Sequence, residues 1–373
     1  MRNNQMISQP VLFDEYPAIA DKLPWTPIGI FPTPVQEAPS LANALGVGRL
    51  FIKRDDLTHP IYGGNKVRKL EFTLADAIRR GYKKVITFGG IGSNHFLATT
   101  IHAAEKGMGT IGVLVSQPVT AHVKHNLLCD IHYGAEMHLT NGYTGMTTTA
   151  LKIMAETALK EGKPPYMIPI GGSSVSGVVG YVNAAFELKR QIDEGALPEP
   201  NFIFVAVGTA GTVSGLITGC RAAGLKTRVI GIKVTDWVLG NSVVFSSLAN
   251  LVSLRLSSID RKFPLNSFSP LSMEMLTDYF GAEYGRFTRE GLGAIELVKQ
   301  HTGLELEGVY TGKAFAGLAG TARKNKLSSK TVLFWNTYNS SDLSHIVSQH
   351  DRSELPQDFK QFFDCPEHTE DDV

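Results

Sequence analysis

Lys66 is the first residue whose surroundings suggest chemistry. It follows Gly63, Gly64 and Asn65 and stands just before a stretch with helical periodicity, so its amine could point into a cleft. A lysine shielded from water near the positive end of a helix has a lowered pKa, and its neutral amine can form a Schiff base. The alternative, a surface lysine in a basic helix start, is favoured when this segment is considered alone.

A glycine-rich turn supplies a second kind of site. Residues 208–215 follow the apolar run 202–207, and their backbone N–H groups would form a nest for one phosphate. The glycine spacing departs from Gly-x-Gly-x-x-Gly and no Gly-Lys-Ser/Thr closes the loop, so one phosphate is favoured over a nucleotide. A Walker motif at 310–313 also fails, because it would need glycine where the chain has Glu307.

Another glycine-rich turn, at 89–95, follows the apolar run 85–88. Ser93 and Asn94 are good helix N-caps, and the N–H groups of a helix start suit a carboxylate or a phosphate. An ordinary capped turn is the alternative for this motif alone. Together, however, a Schiff-base lysine, a nest for one phosphate and a carboxylate-binding helix start are what pyridoxal phosphate and an amino acid require.

Alternating strands and helices must position these groups. The predicted strands are 50–53, 85–88, 111–115, 202–207, 229–232 and 331–335, and the predicted helices are 68–80, 94–106, 145–161, 181–194, 212–223 and 289–302. Strands separated by helices of this length predict βαβ units and a mainly parallel sheet. The glycine-rich turns then lie at the carboxyl ends of strands, where α/β proteins bind ligands.

The composition narrows the class of protein. The chain has 373 residues, a length that predicts two domains or one α/β unit with a large insertion. Its net charge of +1 gives no basic surface for nucleic acid. No apolar run approaches the ~20 residues of a membrane helix, so no membrane partner is expected. Three cysteines without a Cys-x-x-Cys pattern favour a reducing, cytoplasmic location.

Five motifs in order carry a resemblance to a known family. They are Lys53-Arg54-Asp55-Asp56-Leu57, Gly63-Gly64-Asn65-Lys66-Val67-Arg68-Lys69-Leu70-Glu71, Ser93-Asn94-His95, Ile168-Pro169-Ile170-Gly171-Gly172-Ser173 and Tyr310-Thr311-Gly312-Lys313-Ala314. Over residues 20–340 the chain resembles the D-cysteine desulfhydrase and 1-aminocyclopropane-1-carboxylate deaminase family, which are pyridoxal-phosphate enzymes of fold type II, the tryptophan synthase β-like group. The resemblance implies two open, twisted, mainly parallel sheets flanked by helices, the cofactor between two domains, and a homodimer.

The domain boundaries follow from this resemblance and from the two termini. We expect an N-terminal arm and the start of the large domain at 1–68, a small α/β domain at 69–178, a large cofactor-binding domain at 179–345 and an acidic C-terminal tail at 346–373. The first 45 residues, rich in proline and polar residues, predict an arm over the surface. The acidic stretch 351–373 predicts a solvated tail, because clustered like charges repel.

Roles for individual residues are carried over from the resemblance. Lys66 would bind the cofactor covalently and move the Cα proton, Lys69 would hold the phosphate, and Asn94 would bind the 3′-oxygen. The predicted catalytic residues are Lys66, Ser93, Tyr284 and Tyr310; the predicted cofactor-binding residues are Asn65, Lys66, Lys69, Asn94, Gly208, Thr209, Ala210, Gly211, Thr212 and Thr311; the predicted substrate-binding residues are Ser93, Asn94 and His95. No metal is predicted. The histidines at 122, 125, 132 and 138 are interpreted as exposed helix residues, because no carboxylate or cysteine pattern supports a metal site.

Thr311 separates the two activities within this resemblance. The deaminase motif has glutamate after the tyrosine, which would keep the pyridine nitrogen protonated; a threonine, as in the D-cysteine desulfhydrases, supports a neutral nitrogen and a weaker electron sink. That suits β-elimination, in which departing sulfur drains the Cα charge. The sequence therefore predicts conversion of D-cysteine to pyruvate, sulfide and ammonia, with 1-aminocyclopropane-1-carboxylate deamination to 2-oxobutyrate and ammonia as the alternative.

Two segments depart from the family pattern. Where the family has Gln-Ser-Asn-His-x-Arg, this chain has Gly92 in place of the glutamine and Leu97 in place of the arginine. Where the family has His-Thr-Gly-Gly, this chain has Asn336-Thr337-Tyr338-Asn339. Both segments border the expected pocket, so they put the substrate in question more than the cofactor. They also motivate a function of another class, a protein that carries or senses pyridoxal phosphate without turnover.

Overall fold

Two sheets organise the chain. The computed structural model describes residues 9–325, 327–369 and 372. Its strands are β1 (Val35–Glu37), β2 (Arg49–Arg54), β3 (Lys84–Gly90), β4 (Gly109–Val115), β5 (Glu136–Thr140), β6 (Tyr166–Met167), β7 (Phe202–Val207), β8 (Arg228–Lys233), β9 (Met275–Leu276) and β10 (Thr331–Asn336). The larger sheet has the order β1-β2-β10-β7-β8-β9 and the smaller one β5-β4-β3-β6. Only β1 and β2 pair antiparallel among these strands, which confirms the predicted α/β class with two mainly parallel sheets.

Helices flank both sheets. They are α1 (Val11–Glu15), α2 (Pro17–Lys22), α3 (Pro39–Leu45), α4 (Asn65–Arg79), α5 (Asn94–Glu105), α6 (Ala121–His132), α7 (Gly142–Glu161), α8 (Val175–Asp193), α9 (Gly211–Ala222), α10 (Ser242–Ile259), α11 (Arg289–Thr302), α12 (Thr311–Asn325), α13 (Ser344–Val347) and α14 (Gln357–Asp364). The larger sheet is buried on both faces. Along β10, Val332 and Phe334 pack on the side of α12, whereas Leu333 and Trp335 pack on the side of α8 and α9.

The start of α8 differs from the prediction. The helix begins at Val175, ahead of the expected start at 181, and Ser174 caps it by accepting a hydrogen bond from the N–H of Gly177. Gly180 lies inside it because α4 packs so closely that a Cβ there would be 2.0 Å from the carbonyl oxygen of Arg68. Glycine inside a helix weakens its signal in the sequence, yet here it serves helix packing.

The N-terminal segment is packed into the structure, which corrects the expectation of a surface arm. Val11, Leu12 and Phe13 of α1 are buried in a cluster with residues of α8 and α10. The N–H of Leu12 also donates to the side-chain oxygen of Asn183, 2.9 Å away. Apolar side chains spaced by proline and polar residues thus cover the larger domain; residues 1–8 of the predicted arm lie outside the described residues.

The C-terminal segment is likewise not a solvated tail. Leu355, Phe359 and Phe362 are buried in one cluster with Phe96 and Leu127, next to the smaller sheet. The acidic and amide side chains of α14 stay on its outer face, so the helix is amphipathic and its charge does not prevent packing. The prediction of a solvated tail was therefore wrong for this part of 351–373; residues 370, 371 and 373 lie outside the described residues.

A buried ionic network holds α4 in place. The guanidinium of Arg68 donates to Asp55 at 2.7 Å and to Glu187 at 2.9 Å, and the ammonium of Lys53 donates to Glu187 at 2.6 Å. All four side chains are buried, and buried charges are tolerated only when they are paired and hydrogen-bonded. Because Arg68 lies in the first turns of α4, the network fixes the helix start that carries Lys66.

Glu187 makes stability depend on pH. Burial alone would raise its pKa, but the charges of Arg68 and Lys53 prevail and lower the pKa from its ordinary 4.5 to about 2. A carboxyl with a depressed folded-state pKa stabilises the fold above its unfolded pKa and loses that contribution as pH falls toward the folded value. We expect the difference in unfolding free energy between wild type and Glu187→Gln to shrink by ~1.4 kcal/mol per pH unit below 4.5. Urea unfolding at pH 5 and pH 3 measures it; an equal difference at both would contradict this account.

Candidate active site

One cavity of about 500 Å³ lies where the carboxyl ends of strands from both sheets meet. The segments after β3, β4, β7, β8 and β10 line it together with the start of α4. Every predicted site residue is in its wall: Asn65, Lys66, Lys69, Ser93, Asn94, His95, Gly208, Thr209, Ala210, Gly211, Thr212, Tyr284, Tyr310 and Thr311. Its volume suits a small organic ligand, and its place is the usual one in open α/β sheets.

Lys66 stands at the start of α4, where a tight turn aims it at the cavity. Gly64 has a positive φ of 90°, and a Cβ there would lie 3.0 Å from the carbonyl oxygen of Thr337, so only glycine fits. The Lys66 Nζ donates to the side-chain oxygen of Asn65 at 2.9 Å. Burial lowers the pKa of Lys66 to about 8, and the carboxylate of Glu307 opposes part of that shift. A substantial share of the amine is therefore neutral at mildly alkaline pH.

Lys69, one turn further along α4, carries a buried amine that faces the glycine-rich loop and that a bound anion would keep protonated. Its Nζ donates to the carbonyl oxygen of Gly171 at 3.0 Å, and a Cβ on Gly211 would lie 2.9 Å from that nitrogen. Burial and the charge of Lys66 hold its pKa well below the usual range. In the described part of the chain Lys69 has no carboxylate partner, so an anion beside Gly211 would satisfy it.

The loop 208–212 offers backbone donors to the same anion. Ala210 has a φ of 59°, the one positive φ outside glycine in the described chain, and this turns the following N–H groups of α9 inward. No side chain caps α9, which leaves those donors for a ligand. The side-chain nitrogen of Asn65 donates to the hydroxyl of Thr212, and the hydroxyls of Ser173 and Thr209 are hydrogen-bonded to each other. An uncapped helix start facing a buried ammonium fits the phosphate of pyridoxal phosphate.

Asn94 is oriented by three hydrogen-bond donors that converge on its side-chain oxygen. Its side-chain oxygen accepts hydrogen bonds from His122 Nε2 at 2.7 Å, Tyr62 at 3.2 Å and Asn126 at 3.2 Å. Burial lowers the pKa of His122 to about 4, so this histidine is neutral and donates through its Nε2–H. With its oxygen occupied, the amide nitrogen of Asn94 remains as a donor to an anionic ligand oxygen. His122 is thus half-buried and bonded, unlike the exposed helix residue that the sequence predicted.

Ser93 and His95 differ in what they offer to a ligand. Ser93 caps α5 by accepting from the N–H of Phe96 and still lines the cavity with its hydroxyl. The His95 ring nitrogens instead face Thr87 at 3.0 Å and Thr99 at 3.5 Å, and burial holds its pKa well below the usual range. His95 is therefore neutral and bonded within the protein. All three residues line the cavity, and their binding of the substrate carboxylate stays a prediction.

Two phenols meet across the cavity. The hydroxyls of Tyr284 and Tyr310 are 2.5 Å apart. Burial raises the pKa of Tyr284 to about 12 and holds the pKa of Tyr310 well above its usual range, so both remain protonated near neutral pH. Neutral phenols at this distance can share one proton and donate another to a ligand.

Glu307 was missed as a site residue by the sequence analysis, which considered it only as the position of an absent glycine. Its carboxylate accepts from the N–H groups of Val309, Tyr310 and Thr311 at 2.7–2.8 Å and so caps α12. Its own N–H donates to the hydroxyl oxygen of Thr311 at 3.0 Å. An acidic residue a few positions before the start of a helix, here α12, is a capping signal that could have revealed it.

Gln117 was also missed, and it explains the departure at Gly92. It follows β4, lines the cavity, and its side-chain oxygen accepts from the N–H of Gly92 at 3.3 Å. A Cβ at Gly92 would lie 2.6 Å from a methyl of Val123 and 3.2 Å from the side-chain nitrogen of Gln117. These two neighbours leave no room for a side chain at this position. The other departure also has a role, since Asn339 accepts from the N–H of Gly63 at 2.7 Å and steadies the lysine turn.

One group of possible metal ligands occurs in the described residues, at His59, His102 and Glu105. His59 Nδ1 accepts hydrogen bonds from two backbone N–H groups, so the proton sits on Nε2, which points to Glu105 at 3.6 Å. A protonated nitrogen cannot bind a metal. The cluster instead supports the cavity, because His102 Nε2 contacts the carbonyl oxygen of Tyr62 at 3.0 Å.

Comparison with known proteins agrees with this geometry. The family model described as "pyridoxal-phosphate dependent enzyme" matches residues 27–337. A protein of Pyrococcus furiosus, provisionally described as a 1-aminocyclopropane-1-carboxylate deaminase, is 36% identical over 332 residues, 87% of this chain and 93% of its own. The D-cysteine desulfhydrase of Klebsiella pneumoniae strain 342 is 35% identical over 312 residues, 82% of this chain and 91% of its own. A crystal structure titled as a homologue of ACC deaminase superposes with a TM-score of 0.75 at 33% identity, covering 92% of this chain and 100% of that one.

Proposed function

The chain belongs to the family of pyridoxal-phosphate dependent enzymes, and we propose that it eliminates sulfide from D-cysteine, giving pyruvate and ammonia. Relatives of similar identity carry the names of both D-cysteine desulfhydrase and 1-aminocyclopropane-1-carboxylate deaminase, so identity does not decide between them. The observation that carries the choice is Thr311. Thr311 is in the cavity wall at the position where the deaminase motif has glutamate, and a hydroxyl in place of a carboxylate favours elimination of a good leaving group over ring opening.

Residues of this chain are suited to hold the cofactor. Lys69 and the loop 208–212 would bind its phosphate, Asn94 would donate to its 3′-oxygen, and Lys66 would bind it covalently, with Asn65 beside that amine. When bound, pyridoxal phosphate withdraws electrons from the Cα of an amino acid joined to it and makes the Cα proton acidic.

The remaining steps are assigned to the chain's own groups. Lys66, whose pKa burial lowers to about 8, takes the Cα proton. Ser93 and the start of α5 bind the substrate carboxylate, since N–H groups at a helix start suit an anion. Burial raises the pKa values of Tyr284 and Tyr310, so both phenols are protonated before the reaction. One of them then donates its proton to the departing sulfur.

Product analysis tests this proposal. Purified protein is incubated separately with D-cysteine, L-cysteine and 1-aminocyclopropane-1-carboxylate, and pyruvate, 2-oxobutyrate and sulfide are assayed. We expect sulfide and pyruvate from D-cysteine. Release of 2-oxobutyrate from the cyclopropane substrate, with no product from D-cysteine, would favour the deaminase, and a cofactor absorbance band that no amino acid perturbs would favour a carrier or sensor.

Replacing Lys69 by alanine is expected to weaken cofactor binding by at least ~10-fold, because a charge-assisted hydrogen bond contributes about 1.5–3 kcal/mol. Equilibrium dialysis against pyridoxal phosphate measures the affinity directly. Lys83→Ala, an exposed lysine before β3, is the matched control. Unchanged affinity in Lys69→Ala would show that the phosphate binds elsewhere.

We also infer that the protein is a homodimer with α10 in the interface. Among the described helices α10 alone is long and apolar enough to cross a membrane by length and composition, yet only 39% of its apolar window is buried. Phe245 and Val252 pack into the core, whereas Leu251 and Leu254 are more than half exposed. A contiguous exposed apolar surface marks a protein interface, and a second copy is the proposed occupant.

Leu254→Glu is expected to convert the dimer to a monomer, because it places a charge in the apolar interface. Light scattering coupled to size exclusion measures the mass. Leu159→Glu, at a still more exposed leucine on α7, should leave the dimer intact. A monomeric wild type, or a dimeric Leu254→Glu, would contradict the assignment.

We infer a cytoplasmic location as well. Cys129, Cys220 and Cys365 are free, and two of them are buried, which suits a reducing compartment. Cell fractionation tests this; recovery of the protein outside the cytoplasm would contradict it.

A further inference from the structure

A second chamber adjoins the active-site cavity. It has a volume of about 280 Å³, far above the ~30 Å³ share of one water molecule. It shares wall residues with the main cavity, namely Asn94, Gln117, Tyr284, Glu307, Tyr310 and Tyr338. The shared set includes both phenols proposed to act on the departing sulfur. The chamber therefore opens from the place where a leaving group would emerge, and a small amino acid bound in the main cavity does not need it.

The C-terminal segment 367–369 closes the outer side of this chamber. The N–H of His368 donates to the carbonyl oxygen of Val119 at 2.6 Å, and Glu367 forms an ion pair with Lys124 at 2.9 Å, so the segment is fastened to the smaller domain. On the other side, His368 Nε2 accepts from the N–H of Phe287 at 3.4 Å and the two rings are 5.4 Å apart. These contacts make the segment one wall of a chamber that is partly open to solvent.

The chamber wall combines aromatic rings with polar side chains, and its described residues include no permanent cation. Phe287, Tyr338 and the two phenols contribute aromatic rings, and none of its described wall residues is lysine or arginine. Its acidic groups are already occupied, since Glu307 caps α12 and Glu367 is paired with Lys124. Such a wall favours an uncharged apolar or aromatic group and disfavours an anionic one, which would find no counter-charge.

We propose that this chamber receives the group carried on the β-sulfur, so that the substrates include S-substituted cysteines with uncharged apolar or aromatic substituents. The inference rests on the proposed elimination. The Cβ–S bond breaks with both electrons going to sulfur, the sulfur takes a proton and leaves as the thiol R–SH, and water converts the remaining three-carbon unit to pyruvate and ammonia. Atoms and electrons balance as they do for cysteine, where R is hydrogen.

A substrate series on the holoenzyme tests the chamber. D-cysteine and its S-methyl, S-benzyl and S-carboxymethyl derivatives are compared by pyruvate formation. We expect kcat/KM for S-benzyl-D-cysteine to be at least about tenfold above that for the anionic S-carboxymethyl compound. Pyruvate from D-cysteine but not from S-benzyl-D-cysteine would overturn the proposed role of the chamber and leave the proposed elimination standing. Pyruvate from none of the four compounds would overturn both the role of the chamber and the elimination.

A filled chamber provides the second measurement. Ala121, the first residue of α6, is exposed and lines the chamber, so Ala121→Phe occupies the space with little burden on folding. We expect the ratio of kcat/KM for the S-benzyl compound to that for D-cysteine to fall about tenfold. His345→Ala, an exposed change in the C-terminal region outside the chamber, should leave the ratio as it is. An unchanged ratio in Ala121→Phe would place the substituent elsewhere.

Discussion

Replacing Lys66 by alanine is expected to lower kcat by at least ~10³-fold, because it removes the proposed covalent partner of the cofactor and the base that takes the Cα proton. The variant should also lose the absorbance band of lysine-bound pyridoxal phosphate. Lys66 is the amine suited to both tasks: burial lowers its pKa to about 8, and it projects from a helix start into the cavity. Lys69 cannot replace it, since its ammonium faces Gly171 and the loop proposed to bind phosphate.

Two controls distinguish the loss of the Lys66 amine from a loss of folded structure. The far-ultraviolet circular dichroism of Lys66→Ala should match that of wild type, because the side chain makes one hydrogen bond, to its neighbour Asn65. Lys83→Ala should retain both activity and absorbance. If Lys66→Ala kept the absorbance band, the covalent role would belong to another amine and the resemblance of residues 63–71 would have misled.

The strands could be predicted from the sequence because parallel strands buried on both faces form continuous apolar runs. The predicted strand 202–207 matches β7 residue for residue. α10 was not predicted, since its apolar residues surround the helix and give no clear period; only 39% of its apolar window is buried. The termini failed for another reason. Proline and acidic residues suggested solvent, but burial there depends on a few apolar side chains such as Phe13 and Phe359.

The site was recoverable where a local pattern carries the chemistry. Gly63, Gly64 and the loop 208–212 indicate a tight turn and an anion nest from their residue types, whereas Lys66 gained its predicted role only in combination with the other motifs. Gln117 and His122 could not be found in this way, because they act through partners distant in sequence, Gly92 and Asn94. The ring nitrogens of His95 are likewise partnered by Thr87 and Thr99, eight and four residues away in sequence, which spacing alone did not reveal.

Asp55→Ala is expected to lower the free energy of unfolding by about 3–5 kcal/mol, because it leaves the buried Arg68 guanidinium without one of its two carboxylates. Asp55 also accepts hydrogen bonds from Tyr181 and Trp335 at 2.7 Å, and those buried donors would lose their partner too. Urea unfolding at pH 7 measures the change. Asp358→Ala, an exposed aspartate on α14, should change the free energy by no more than ~0.5 kcal/mol.

The same substitution connects stability to the site. The backbone carbonyl of Asp55 accepts from the N–H of Gly64 at 2.9 Å, and its side chain holds Arg68 two residues beyond Lys66. Loss of the Asp55 contacts should let the turn at Gly64, which precedes Lys66, move more freely. Cofactor release should therefore accelerate even under conditions in which Asp55→Ala remains folded. Asp55→Asn keeps the shape of the side chain and removes its charge. If Asp55→Asn retained the cofactor as wild type does and Asp55→Ala did not, hydrogen bonding rather than charge would hold the turn before Lys66.

If both variants instead unfolded at the same urea concentration as wild type, the Asp55–Arg68 ion pair would make no net contribution to stability. Apolar packing around Trp335 and Tyr181 would then be sufficient to place Lys66.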